Sequence, residues 1–544
     1  MASKRQRRLD RGDGDVSSAV PLLQRLAHQG GISKTGLSRI LKLLPDTNLT
    51  GPTLDFAVGL HFRSVKTVLK CPAIEEGDDT VDWQFADPAL LLGRLVDRSD
   101  WWHSVFATAV RAHPPSRTHP WNLMFGYDEF IPGDKLNLQN RRKGMNILFT
   151  FREFGGALIN SGEVWIPFAV VRSLKFHEVA GGWSNMFRML LHHVLLGDMG
   201  MATIGVPLMI NGTPVLLYAD LAVNLTDGDG HRMTYDWKGA SGLKCCLRHT
   251  NVLKKGSDLA SRGEGLVEVS CSEFSQLKTW GQGELADTVG MVLLASEQYK
   301  SGEMTKEMFE DIEKASGLNA NPLGLLADDI LLSRWDLVGI MRLDWVHNTL
   351  QNGMMTIEAW LFIEAAEAKC GIPRSRIKEL LEQDCWCYPE QFKSKRRDLW
   401  KIFDTYRARA NNDSGTLKCN CSELLSLYGL LRHWAEMVVG DRPAILKERE
   451  SFMAACKVVD LFLLCKRAEN PGAHLVSQLR AALSEHMKFH LDAYGDEHII
   501  PKHHWNFDVP GQIEIDGMLV DTFAIERAHL FVKYLAELIK NTRK

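Results

Sequence analysis

Two apolar stretches of this chain end in acid: WNLMFGYDEF closes on Asp128 and Glu129, and TPVLLYADLAVNLTDGDG on Asp227 and Asp229. An ionised carboxylate at the end of an apolar run must be solvated, paired or bound to a cation. Carboxylate oxygen suits hard cations such as Mg2+ or Mn2+. Two such ions about 3.5 to 4 Å apart can stabilise the attacking and the leaving oxygen of a phosphodiester together. Without metal, clustered carboxylates repel one another and take up protons, so an acidic cluster and a bound cation imply each other. Asp344 and His347, at i and i+3, share a helix face and could assist such a site. Each residue also has a plain structural role open to it: strand end, turn former or packed histidine.

The elements that must position these residues follow from the apolar spacing. Residues 1–15 are polar and basic at Lys4, Arg5, Arg7 and Arg8, the composition of a disordered tail or a nuclear-import signal. The span 16–118 reads as an N-terminal helical region. Within it a Gly30-Gly31 break separates two helices, the second capped by Ser33, as in a helix-turn-helix. From 119 to 260, NLMFGYDEF, GMNILFTFREFGGAL and EVWIPFAVVRS predict an antiparallel meander. The helix SNMFRMLLHHVLLGDMG follows, then a fourth strand ending at Asp227, then a fifth in LKCCLRHTNVL. From 261 to 497 apolar spacings of three and four predict an all-α insertion domain. Residues 498–544 form a closing segment with one long terminal helix.

Three strands, a helix, a fourth strand parallel to the first, a fifth strand and closing helices is the order of the ribonuclease H-like fold. The expected class is therefore α/β, a mixed-sheet core interrupted by helices. In that fold acids on the first strand, at the end of the fourth and on a late helix converge on metal, and the matching positions are Asp128, Asp227 and Glu526. Asp227 is chosen over Asp220 and Asp229 because it stands at the strand exit.

At these residues the chain resembles the cut-and-paste DDE transposases of the broad group that includes CACTA and the Kyakuja-Dileera-Zisupton elements. The resemblance rests on YDEFIPGDKLNLQNRRK, KGASGLKCCLRHTNV, RLDWVHNTL and PKHHWNFDVPGQIEIDGMLVDTFAIERAHLFVKYLAEL, spanning roughly 120–300, 335–350 and 498–540. LDWVH resembles the family's Asp-x-Met-His signature, with Val346 for Met, and FAIERAHLFVK resembles the segment around its final Glu. The family's Cys-x-x-Cys is here Cys246 and His249, a candidate zinc pair. The resemblance implies metal-dependent DNA strand cleavage and transfer with Mg2+ or Mn2+ on an Asp-Asp-Glu triad. The alternative is a catalytically inactive, transposon-derived DNA-binding or scaffold protein. Implied partners are DNA terminal repeats and further copies of the chain. Arg141, Arg142, Lys143, Lys238 and Lys533 are candidate phosphate contacts, and Trp345 and Trp360 could stack on a base or serve as core.

Composition sets the bounds. At 544 residues and 45% hydrophobic the chain can hold roughly three or four domains. A formal charge of -3 gives no global pull toward nucleic acid, so DNA contacts must come from local patches. The 11 scattered cysteines and the absence of a signal-like N-terminal stretch predict a reducing compartment, nuclear or otherwise cytoplasmic. Asp220 and Asp460 interrupt the longest apolar runs, so no membrane partner is expected.

Overall fold

The computed structural model describes residues 65–74, 79–131, 143–256, 263, 265–382, 399–403, 410–411 and 413–528. The basic tail, the candidate helix-turn-helix, Arg141, Arg142 and Lys533 lie outside the described residues. The described part of the 16–118 span is not wholly helical. It opens with an antiparallel hairpin, β1 (Lys66–Pro72) and β2 (Thr80–Ala86). Two helices follow, α1 (Pro88–Arg98) and α2 (Asp100–Ala112), started by the side-chain caps Asp87 and Ser99.

The chain is mixed α/β, centred on a five-stranded sheet. Its strands are β3 (Trp121–Phe130), β4 (Gly144–Phe151), β5 (Ile166–Arg172), β8 (Ala219–Thr226) and β11 (Met341–Leu343), in the order β11-β8-β3-β4-β5. β3, β4 and β5 are antiparallel neighbours, whereas β8 runs parallel to β3 and β11 parallel to β8. β4 is buried at every position, as expected of a central strand covered on both faces. On one face Phe125 and Tyr127 pack against Trp183 and Phe187 of α3 (Gly182–Leu191).

Two expectations are corrected. The fourth strand breaks at Tyr218, and its first half, β7 (Thr213–Leu217), pairs with β6 (Val206–Ile210) in a separate hairpin. The fifth strand of the sheet is not in 243–253. There β9 (Val252–Leu253) pairs with β10 (Val267–Glu268) and bridges to Lys244, outside the five-stranded sheet. The sheet takes its fifth strand from β11, inside the 261–497 stretch, which is therefore not all-α. Three residues are too few to show a period-2 pattern, and Arg342 in the middle reads as surface. It is buried instead, bonded through two nitrogens to both oxygens of Asp516, at 2.6 and 2.9 Å.

After α4 (Gly228–Thr234), the described residues of that stretch other than β10 and β11 form mainly helices, among them α5 (Gln282–Ser301), α6 (Lys306–Ser316), α7 (Trp345–Thr349), α8 (Met354–Cys370), α9 (Cys421–Trp434), α10 (Leu446–Arg467) and α11 (Gly472–Tyr494). α8 is buried all round from Met354 to Ile363, the mark of a helix enclosed by others. Phe362 stacks on Phe452 at 4.8 Å, and Trp345 stacks on Phe462 at 5.0 Å, which joins the helices to the end of β11. The closing segment adds α12 (Pro501–Trp505), α13 (Val509–Asp516) and a final helix over 522–528, α14. Among the described residues no helix is long and apolar enough to cross a membrane.

Candidate functional site

Each of the three parallel strands has an aspartate at or near its carboxyl end: Asp128 two residues before the end of β3, Asp227 just after β8 and Asp344 just after β11. The ladders pair Gly126 with Leu225 and Leu343 with Thr226. Continued past their last bonds, they bring Asp128 and Asp344 level with Asp227. Neighbouring strands lie about 4.8 Å apart, so three acids line up at the carboxyl ends of the strands, where ligand sites of such sheets form. Asp227 also caps α4, its Oδ1 accepting the Gly230 N–H at 2.7 Å. Burial raises the proton affinity of the Asp227 carboxyl. The Asp128 and Asp229 charges add to that rise against the opposing Gly230 bond and His347 charge. The other two candidates on this strand are occupied elsewhere: Trp335 donates to Asp220 at 2.8 Å, and exposed Asp229 pairs with Arg232 at 3.0 Å.

α14 carries Glu526 across this corner of the sheet. Its first turn is fastened to Asp344: Thr522 donates its N–H to Oδ1 at 3.2 Å and its hydroxyl to Oδ2 at 2.7 Å. Its middle lies on β3, because a Cβ on Gly126 would stand 2.6 Å from Ile525 Cδ1 and 2.8 Å from Trp165. Side chains alternate along a strand, so Asp128 faces the same side as Gly126. Glu526 follows Ile525 and is half-buried, and its charge together with that of Asp344 bears on the Cys421 thiol, which burial foremost pushes up to about 12.

Asp344 is the N-cap of α7, and His347 stands in that helix three residues on. Asp344 accepts the His347 N–H at 3.0 Å, and His347 Nδ1 lies 2.6 Å from the same Oδ2. With Thr522 added, both Asp344 oxygens are engaged, which makes it a holder of α14 and His347. Burial would lower His347, but the Asp344 bond and the charges of Asp344, Asp227 and Asp128 outweigh it and lift the ring to about 9. At neutral pH an imidazolium therefore answers the acids. Lys502, which the sequence reading missed, also faces these acids: burial lowers its proton affinity against the opposing charges of Asp227, Asp229 and Asp344, and it donates to Gln351 O at 2.7 Å. The ligand atoms of Asp128, Asp227 and Glu526 do not all lie within 4.8 Å of one another. On the other side of the strand ends opens a cavity of about 730 Å³ lined by Glu129, Lys143, Trp183, Asp229, Arg232 and Asp236, among others.

Cys246 and His249 do gain partners. With His504 and Asp508 they form a buried group whose ligand atoms all lie within 4.8 Å. His249 Nδ1 stands 3.6 Å from Cys246 Sγ and 3.1 Å from His504 Nε2, and His249 Nε2 stands 3.7 Å from Asp508 Oδ1. Burial, with the His249 charge, lowers His504 to about 3, so its ring is neutral and able to ligate. Sulfur, two imidazoles and a carboxylate are a zinc donor set. The sequence signal was HHWNFD, where His504 and Asp508 lie one helical turn apart.

The candidate phosphate contacts fare differently. Lys143 pairs with Glu129, and Lys238 pairs with Glu313 at 3.0 Å. Trp345 and Trp360 are fully buried, hence core and unable to stack on a base. The chain matches no protein-family model and has no significant match among curated proteins.

Proposed function

We propose that the chain has a ribonuclease H-like core and acts as a metal-dependent DNA strand-cleaving and strand-transferring enzyme of the DDE transposase kind. The observation that carries this reading is the level alignment of Asp128 and Asp227 at the ends of adjacent parallel strands, beneath the helix that bears Glu526. The strand order, three antiparallel strands followed by two parallel to the first, supports the same reading. An all-carboxylate donor set fits Mg2+ or Mn2+. Bound there, the ions would stabilise the attacking and leaving oxygens of the phosphodiester. Asp344 is a positioning residue that fixes α14 and orients His347, whose positive charge offsets the acids until cations replace it. The group of Cys246, His249, His504 and Asp508 would hold a structural zinc that fixes the closing segment against the core.

One observation favours the other reading, a DNA-binding or scaffold protein without catalysis: both described lysines expected to meet phosphate are engaged in internal ion pairs. Calorimetric titration with Mn2+ and nicking of supercoiled plasmid separate the two. The wild type should bind Mn2+ and nick. Asp227→Asn should lose the binding, and Asp128→Asn should lose at least about 100-fold in nicking with its circular dichroism unchanged. Equal nicking by wild type and variants, or no Mn2+ binding by the wild type, would overturn the enzyme reading.

A further inference from the structure

Glu358, His486 and His490 belong to the chain's helical part, and nothing in the proposed reaction uses them. Glu358 comes from α8, and His486 and His490 from α11, where a spacing of four places both rings on one helix face. None is more than 2% exposed, and their ligand atoms all lie within 4.8 Å of one another. His486 Nε2 stands 2.9 Å from Glu358 Oε1, His490 Nδ1 contacts the same oxygen, and Ser451 donates its hydroxyl to it at 2.9 Å. Three groups thus crowd one oxygen. The other oxygen, Oε2, is buried with no partner, as are His490 Nε2 and the Tyr494 hydroxyl.

A buried carboxylate bonded to no lysine or arginine, with one oxygen unanswered, costs several kcal/mol unless a charge meets it. Hydrogen bonding alone leaves that oxygen unmet. We propose that Glu358, His486 and His490 form a structural metal site of the Zn2+ class, separate from the strand-end acids and from the group at Cys246. Two imidazoles and a carboxylate are a zinc donor set, and Oε2 can complete the coordination by chelation. Bonds of about 2.0 to 2.1 Å set tetrahedral ligands roughly 3.3 Å apart, so the 2.9 Å His486 contact must open by a few tenths of an ångström and the closer His490 contact by more. Each ring gives up the proton it now directs at Oε1: a neutral imidazole moves it to its far nitrogen with no net release, whereas an imidazolium loses it to solvent, and only then is binding coupled to proton release. The metal would clamp α8 to α11. His503 of α12 lies beside it, its ring 5.4 Å from that of His490, while the next residue, His504, belongs to the Cys246 group.

Metal analysis and cobalt spectra of the full chain, stripped with chelator and then titrated with Zn2+ or Co2+, test this. The expected result is a Co2+ equivalent with d–d bands but no thiolate charge transfer, present in the wild type and in Cys246→Ser. Glu358→Gln keeps the side-chain shape and should lose that equivalent alone, with its circular dichroism retained. His486→Asn should do the same. If the Cys246 group binds nothing, a thiolate-free equivalent that is lost in Glu358→Gln but kept in Asp227→Asn remains, and the proposal stands. Retention of that equivalent in folded Glu358→Gln overturns it. Should the variants fail to fold, the wild-type spectrum decides: no thiolate-free equivalent means no site.

Discussion

Asp236 sits at a positive φ of 50°, with the Asn321 amide donating to both its oxygens at 3.0 and 3.1 Å. Burial pushes its carboxyl from 3.8 up to about 6, against the lowering effect of the Ser184 and Asn321 bonds. Between those values the folded chain holds a proton that the unfolded chain has released. Stability therefore falls as pH rises through this window, by up to about 3 kcal/mol once both states are ionised. Asp236→Asn removes the charge and tolerates the left-handed backbone. It should stabilise the chain by about 1 to 3 kcal/mol at pH 7 and give no gain below pH 4 or so. Thermal melts at both pH values check this, and an equal shift at both would contradict it. The same physics explains which site residues were legible. Asp128 and Asp227 announced themselves because acid ended an apolar run. Glu358 gave a similar signal, a lone acid in TIEAWLFI, and went unread because the helical spacing around it explained the segment without it. Lys502 gave no signal of its own, since its partners come from distant segments.

The packing of α14 on β3 depends on Gly126 having no side chain. Gly126→Ala should cost about 1 to 3 kcal/mol, because Ile525 and Trp165 are both buried and cannot step aside. Ile525→Val deletes the nearest atom and alone should cost about 0.5 to 1.5 kcal/mol. Combined, the two should cost less than their sum by about 0.5 kcal/mol or more. A double-mutant cycle by denaturant unfolding measures the coupling, and strict additivity would mean that the helix does not bear on the glycine. The meander β3, β4 and β5 was readable because each strand is long and mostly apolar. β11 was not, because a three-residue strand owes its existence to the edge offered by β8 and to the Arg342–Asp516 pair rather than to its own pattern.

At the scale of the molecule, Asp516 is the fastening between the closing segment and the sheet, bonded to Arg342 of β11 and to Arg152 at 2.5 Å. Asp516→Ala would leave Arg342 buried without a counter-charge, a cost of about 3 to 5 kcal/mol. The thermal midpoint should fall clearly below that of the wild type, whereas an unchanged midpoint would show that the pair contributes nothing net. The packing of Ile525 on Gly126 has a consequence in time as well. The two residues stand about 400 positions apart, so this contact belongs to the slowest class to form. At synthesis rates of about 5 to 20 residues per second, the far side of β3 would wait some 20 to 80 s for its cover. Throughout that interval Asp128 and Asp227 exist without Glu526, and a chain interrupted before residue 522 would carry the acids on an open sheet.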